Sequence, residues 1–372
     1  MKENDFFEKQ SALTFAKTTI YKEYIERYLL KLLISHGRCL IADLFCGAGK
    51  NGKENGSPLI LIDRLNYILT SPILKSKSEL KIYIILNDQD KNNIDNLKNE
   101  LSRIEFDRTI ISISVNNEKY EDLLPKIIKT TKGIEIPKFF FLDPFKYSDV
   151  KMEHLRILMA LPLSEVLLFI PIFHSYRFAK KEYDKNHKTR IFIEEFTSEG
   201  ITDYGNVTNF VFSVREKLMK DVSLEYVRPV LLKDGAKQNA LFLLTNHQKG
   251  MLLMNQIAFK ITSDGNLLNV KNQDQDSLFK IEEVSNFANK LSNSLVRTLR
   301  KRDLTNKEIV RFAIQDCFLP KHAKQELKKL YELQKIKVFD INNTEIIDTR
   351  KWNIAEDIKK MVIFKWISDE KK

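Results

Sequence analysis

A chain of 372 residues, 43% hydrophobic and 30% charged, is long enough to bury a full core and to hold two domains. It has no apolar run approaching the roughly 20 residues of a membrane span, and the acidic stretch Met1–Glu8 lacks the pattern of a secretory signal. Cys39, Cys46 and Cys317 are too few and too scattered for a disulfide framework or a zinc site, so a cytoplasmic protein without a metal is expected.

The first element is an amphipathic helix, Phe15–Ser35, whose Ala16, Ile20, Tyr24, Leu29 and Leu33 recur at near-helical spacing and would cover one face of a sheet. Leu40–Gly52 follows, reading LIADLFCGAGKNG. It has an apolar run with the character of a buried parallel strand, then an acid, then three glycines that let the backbone turn sharply and approach a ligand. Gly47, Gly49 and Gly52 have the G-x-G-x-x-G spacing of a dinucleotide fold. Gly47–Lys53 also fits a phosphate-binding loop until Glu54, which stands where a hydroxyl should meet magnesium. The third reading is a site for S-adenosylmethionine. Asp43 suits that ligand, because a carboxylate accepts from a cationic amino group and would repel a pyrophosphate.

A second strand, Leu80–Leu86, ends at Asn87-Asp88-Gln89-Asp90, and an acid at this point holds ribose hydroxyls in such sheets; Asp88 is the candidate. A polar helical pattern continues through Leu101. A third strand, Thr109–Val115, precedes Asn116 and Asn117, either an Asn-rich turn or a contact for the adenine edge. A fourth, Lys138–Leu142, runs directly into Asp143-Pro144-Phe145-Lys146-Tyr147. In amino methyltransferases an acidic or amide residue followed by Pro and an aromatic sits at this strand end. The acid and the proline carbonyl accept from a planar exocyclic amine, and the ring stacks on the base. The competing reading is a turn in which Asp143 caps a helix starting near Val150. Placement after the fourth strand favours the ligand reading, since ligands bind at the carboxyl ends of such strands.

Met152–Leu161 reads as a crossover helix and Val166–Phe173 as a buried fifth strand. His174–Gly205 clusters basic side chains from His174 through Arg190, either a solvated face or a surface that steers a phosphate backbone. Tyr226–Lys233 and Asn239–Thr245 predict an antiparallel edge hairpin about Asp234-Gly235, Asn246–Ile257 a helix, and the polar stretch 263–279 a linker.

Beyond it, helices are predicted over Ile281–Leu299, Thr305–Asp316 and Pro320–Gln334, with Thr305 and Glu308 forming a capping box. Ile336–Phe339 and Glu345–Ile347 read as a small hairpin about Asn342-Asn343. Three helices followed by a hairpin predict a winged helix within 280–372. Arg297–Lys372 holds 19 Lys or Arg against 12 Asp or Glu, which is seven of the eleven net positive charges. With Ala323, Leu327 and Leu330 inward, Lys321, Lys324, Gln325 and Lys328 project outward, either to contact phosphates or to solvate a protein-contact surface.

Ala42–Gly49 resembles motif I of DNA methyltransferases. Roughly the first two thirds of the chain is similar to the three-Cys-motif partner protein (TcmP) family, which is class I methyltransferase-like and found beside a radical-SAM-like protein. The likeness rests on Lys17, Tyr21, Tyr24 and Tyr28 on one helix, the glycine loop, Gly56-Ser57-Pro58-Leu59 and Leu142–Phe145. It continues through Val166–Pro171 with Arg177, and Phe242–Gly250. Lys146 departs from a common glycine and Asp88 from a more usual glutamate. The resemblance implies a Rossmann-like α/β sheet over 1–262, parallel with an antiparallel edge hairpin, with Lys17 and Tyr24 near the site and a radical-SAM-like partner.

The expected function is methyl transfer from S-adenosylmethionine to an exocyclic amine of a nucleic-acid base, in DNA more readily than RNA. Asp43, Phe45, Cys46, Gly47, Gly49, Asp88 and Asn117 are expected to hold the cofactor, and Asp143, Pro144 and Phe145 to orient the amine. The alternative is a catalytically silent nucleic-acid-binding or scaffold protein that keeps the cofactor fold. A structured RNA substrate, or nucleotide hydrolysis at Lys53, also stays open.

Overall fold

The computed structural model describes residues 12–77, 79–181, 184, 187–234, 237–262, 264–269 and 290–367. Lys185, the turn residue Gly235, most of the expected linker and the first half of the helix expected over Ile281–Leu299 lie outside the described residues; 290–299 is helical. The described residues up to Ile257, with 266–269, form one compact unit. Residues 258–262, 264–265 and 290–367 form the other.

The first unit is built on an eight-stranded sheet. Its strands are β1 (Arg38–Asp43), β2 (Lys81–Asn87), β3 (Ile111–Asn116), β4 (Lys138–Leu142), β5 (Ser164–Ile170), β6 (Tyr226–Asp234), β7 (Lys237–Thr245) and β8 (Leu267–Asn269). Across the sheet they run β8-β6-β7-β5-β4-β1-β2-β3. The five strands β1 to β5 are mutually parallel, and β7 is antiparallel to both β5 and β6. This is the expected Rossmann-like, mostly parallel sheet with its antiparallel hairpin. β8 adds a short parallel strand outside that hairpin that the sequence pattern does not announce.

Strands β4 and β5 are buried along their whole length, which explains their unbroken apolar reading. Alternation sends Phe139 and Phe141 to one face, against the tyrosines of α1 (Ala12–His36): the Tyr21 and Phe141 centroids are 4.6 Å apart. α2 (Ser57–Leu69) packs beside α1, and α3 (Lys91–Ser102) sends Leu97 to the glycine loop. Phe140 and Leu142 face the other way, into a core shared with α4 (Tyr120–Thr131), α5 (Met152–Met159), α6 (Lys188–Phe196) and α7 (Val207–Asp221). Asp143 caps none of these: a 3-10 turn, Tyr147–Asp149, intervenes, and α5 starts after Lys151.

The second unit holds α8 (Asn306–Gln315), α9 (Pro320–Glu332) and a three-stranded antiparallel sheet of β9 (Leu304–Thr305), β10 (Ile336–Asp340) and β11 (Val362–Trp366), ordered β9-β11-β10. Thr305 and Glu308 form the expected capping box. The expected hairpin partner is corrected. Glu345 makes a single bridge to Phe339, whereas β10 pairs over five residues with β11. The reason is burial: Val362 and Phe364 point inward from β11, while Ile347 is 74% exposed. Trp352 is fully buried between Tyr331 and Phe364, and Asn306 ties the wing together. Its Nδ2 donates to the carbonyls of Trp352, Asn353 and Lys360, and its Oδ1 accepts from the Val362 amide.

Candidate active site

Asp43 ends β1 in register with Phe141 of β4, so this carboxyl and the Asp143-Pro144-Phe145 run leave the sheet side by side. The Ser57 hydroxyl at the start of α2 donates to Asp43 Oδ2 at 2.6 Å. Among the described residues Oδ1 is buried without a hydrogen-bond partner. Burial pushes this carboxyl up to about 7; the Ser57 hydrogen bond opposes the shift and the charge of Asp143 adds to it.

The glycines bring backbone close to backbone. Gly49 has φ +84°, and a Cβ there would meet Leu97 Cδ1 at 2.9 Å. Gly56 donates its amide to the Gly49 carbonyl at 2.7 Å, and a Cβ at Gly56 would lie 2.9 Å from that oxygen. The loop does not open directly into a helix. Lys50–Asn51 and Glu54–Asn55 pair as a tiny hairpin, Lys53 is exposed in its turn, and α2 begins only at Ser57. That removes the helix N-terminus which both phosphate-binding readings require at the glycines.

Asp88 and Asn117 support the loop from behind. Asp88 accepts from the Gly47 amide at 3.0 Å, the Asp90 amide at 2.8 Å and Asn93 Nδ2 at 3.2 Å, and Asn117 Nδ2 donates to the Asp88 carbonyl at 2.9 Å. Neither is on the wall of the adjacent cavity. Phe45, Cys46, Gly47 and Gly49 are, together with Ser57, Asp143, Pro144 and Phe145, around a volume of about 530 Å³.

α1 contributes Thr14, Lys17, Thr18 and Tyr21 to the wall, at the spacing of one helical face, and Phe141, Phe169 and Pro171 come from the sheet. The sequence assigned this helix chiefly to covering the sheet. Lys17 Nζ pairs with Asp143 Oδ2 and lies 4.7 Å from the centroid of the Phe169 ring. The Tyr21 hydroxyl, like Asp43 Oδ1, is buried without a partner among the described residues. Phe145 is 89% exposed. Behind the wall, Tyr24 donates to Glu165 Oε2 at 2.6 Å and Thr245 Oγ1 donates to Glu165 Oε1 at 2.7 Å. Sequence reasoning missed Glu165, although a lone acid in the apolar run SEVLLFI was the available sign.

Residues 269–342 match the family model of the GMT-like wHTH domain. No curated protein matches the chain. Among solved structures it is similar to Trm1 from Pyrococcus horikoshii in complex with S-adenosyl-L-methionine, at 12% identity and a TM-score of 0.36, over 68% of this chain and 61% of that one. It is also similar to the O-methyltransferase TomG from Streptomyces achromogenes, at 13% identity and a TM-score of 0.32, over 65% and 93%. A third likeness is to spermidine synthase from Thermotoga maritima, at 10% identity and a TM-score of 0.31, over 71% and 74%. The chain thus spans about three fifths of the length of Trm1.

In the second unit Ala323, Leu327 and Leu330 of α9 are buried. Lys321, Gln325 and Lys328 are exposed and Lys324 is half-buried, and none of these three lysines forms an ion pair among the described residues. Among the described residues no helix is long and apolar enough to cross a membrane.

Proposed function

We propose that this chain is an S-adenosylmethionine-dependent methyltransferase acting on an exocyclic amine of a nucleic-acid base, DNA before RNA. Residues 1–262 would carry the reaction and, beyond a linker over 263–279, residues 280–372 would grip the polymer. The observation that carries the reading is one cavity walled by the glycine loop, Tyr21 and the Asp-Pro-Phe strand end, with Asp43 buried just behind Ser57, which lines the cavity and donates to the Asp43 carboxyl.

These residues fit the cofactor's amino-acid end. Asp43, behind Ser57, would accept from an ammonium group, Tyr21 would offer a hydroxyl to a carboxylate or amine, and Gly47, whose added Cβ would meet nothing within 4 Å, leaves bare backbone open to a ligand. When bound, the cofactor supplies an activated methyl group that replaces one amine hydrogen, which leaves as a proton. Asp143 and the Pro144 carbonyl would accept the amine's hydrogens and so direct its lone pair, and the exposed Phe145 ring would stack on a base turned out of its helix. Asp88 and Asn117 would act from behind the wall, by fixing the loop that holds the cofactor.

Titration calorimetry with S-adenosylmethionine, beside ATP with magnesium, tests the cofactor assignment. Binding of the former, lost in Asp43→Ala, is expected. A radiolabelled methyl-transfer screen over DNA, RNA and protein then tests the substrate. Binding of ATP alone, or label entering only protein, would overturn the reading.

A further inference from the structure

The Lys17–Asp143 pair adds something the Asp-Pro-Phe motif alone does not supply. Both side chains are mostly buried, 15% and 21% exposed, and both line the cavity beside the exposed Phe145 ring. The pair is electrically neutral as a unit, so it does not favour a phosphate, a carboxylate or an ammonium group as the thing held between its ends. It does set a hydrogen-bond acceptor, the Asp143 carboxylate, beside a hydrogen-bond donor, the Lys17 ammonium. The complement of that arrangement is a neutral planar group with a donor beside an acceptor.

We propose, resting on the function just given, that Lys17 determines substrate class by donating to the unprotonated ring nitrogen next to the target amine. Lys17 and Asp143 together then read an amidine edge, in which one carbon carries an amino group and is doubly bonded to a ring nitrogen. Adenine, cytosine and guanine each carry that edge, and uracil and thymine do not. The primary amide of a glutamine side chain carries a related edge, with a carbonyl oxygen in place of the nitrogen. It has no ring for Phe145, whose 89% exposure beside the pair favours a flat heterocycle. Lys17 stays positively charged while it donates, and its contact with the Phe169 face 4.7 Å away fixes the ammonium when the substrate takes over part of Asp143.

The test uses the full chain and three pairs of short single-stranded oligonucleotides. Each pair differs at one base by a ring nitrogen against a C–H next to the amino group: adenine and 1-deazaadenine, cytosine and 3-deazacytosine, guanine and 3-deazaguanine. Equilibrium binding by fluorescence anisotropy is measured beside methyl transfer, for the native chain, Lys17→Met and Lys17→Arg, with folding checked by circular dichroism. At least one pair should show a loss of about tenfold on removing the nitrogen, the size of a charge-assisted hydrogen bond. That loss should vanish in Lys17→Met and return in part in Lys17→Arg. Binding and transfer with no nitrogen dependence, or with a dependence that persists in Lys17→Met, would overturn the role of Lys17 and leave the methyltransferase reading intact. No binding and no transfer on any oligonucleotide, with label entering a glutamine peptide instead, would overturn both.

Discussion

The Tyr24 hydroxyl donates to Glu165 Oε2 across 2.6 Å, fastening the helix that walls the cavity to a central strand 141 residues further along the chain. Thr245 holds the other oxygen at 2.7 Å from the neighbouring antiparallel strand. One buried carboxyl therefore joins three elements around the site.

That carboxyl makes stability pH-dependent. Burial pushes Glu165 from its ordinary 4.5 up to about 7, against the opposing hydrogen bonds of Tyr24 and Thr245. Between those values the folded chain binds more protons than the unfolded one, so stability falls as pH rises through the window and levels off above it. Glu165→Gln removes this component. Urea unfolding of the variant at acid and neutral pH should show a shallower decline than the parent, and an equal decline would count against the assignment. Tyr24→Phe, which leaves Oε2 without its donor, should cost about 1–3 kcal/mol.

Asp43 gives cofactor binding its own pH profile. Its carboxyl is held up to about 7 and accepts best once that proton is gone. An α-amino group loses its charge at about 7.7–8.0. Affinity for S-adenosylmethionine should therefore climb through neutral pH and decline above it. Asp43→Asn should lose about tenfold or more in affinity and flatten the acid limb, as calorimetry across pH will reveal.

Gly49 has no room for a methyl group. With φ +84° and Leu97 Cδ1 at 2.9 Å from the added carbon, Gly49→Ala should destabilise the fold by about 1–3 kcal/mol and weaken cofactor binding. Gly47, with nothing within 4 Å of its added carbon, should tolerate alanine better despite its φ of +64°. Thermal melts with and without cofactor separate the two positions.

Phe145 is the opposite case. Its ring is 89% exposed, so Phe145→Ala should leave thermal stability within about 0.5 kcal/mol of the parent. If the ring stacks on a base, the same change should weaken the substrate complex by about 1–3 kcal/mol. Unchanged kinetics would remove Phe145 from the site.

The lysines of α9 are tested by salt. Replacing Lys321, Lys324 and Lys328 with alanine should weaken nucleic-acid binding across all sequences and lower the slope of log K against log salt by about one for each phosphate no longer neutralised. An unchanged slope would favour a protein-contact role for this winged helix.

What was legible in the sequence was local. Lys138–Leu142 is a strand because five contiguous apolar or aliphatic-stemmed residues are buried on both faces, and Asp143-Pro144-Phe145 follows it directly. Thr305 and Glu308 are three residues apart, and so is the cap they form. What was not legible depends on distant partners. Nothing near Lys17 announces Asp143, 126 residues away. Nothing near Tyr21 announces that its hydroxyl is buried without a partner among the described residues. β11 was missed because its pairing with Ile336–Asp340 skips the nearer Glu345–Ile347, a choice made by the burial of Val362, Phe364 and Trp352.

The wall contributed by α1 has a consequence for synthesis. This helix leaves the ribosome before every element that holds it, and its two polar anchors, Asp143 and Glu165, arrive more than a hundred residues later. Until Thr245 has emerged to complete the Glu165 contact, the buried tyrosine face of α1 has no finished sheet to lie on. The chamber is therefore closed by its earliest-made part as a late act of folding, and a nascent chain halted before the edge hairpin would expose Tyr21, Tyr24 and Tyr28 as an adhesive stripe for chaperones.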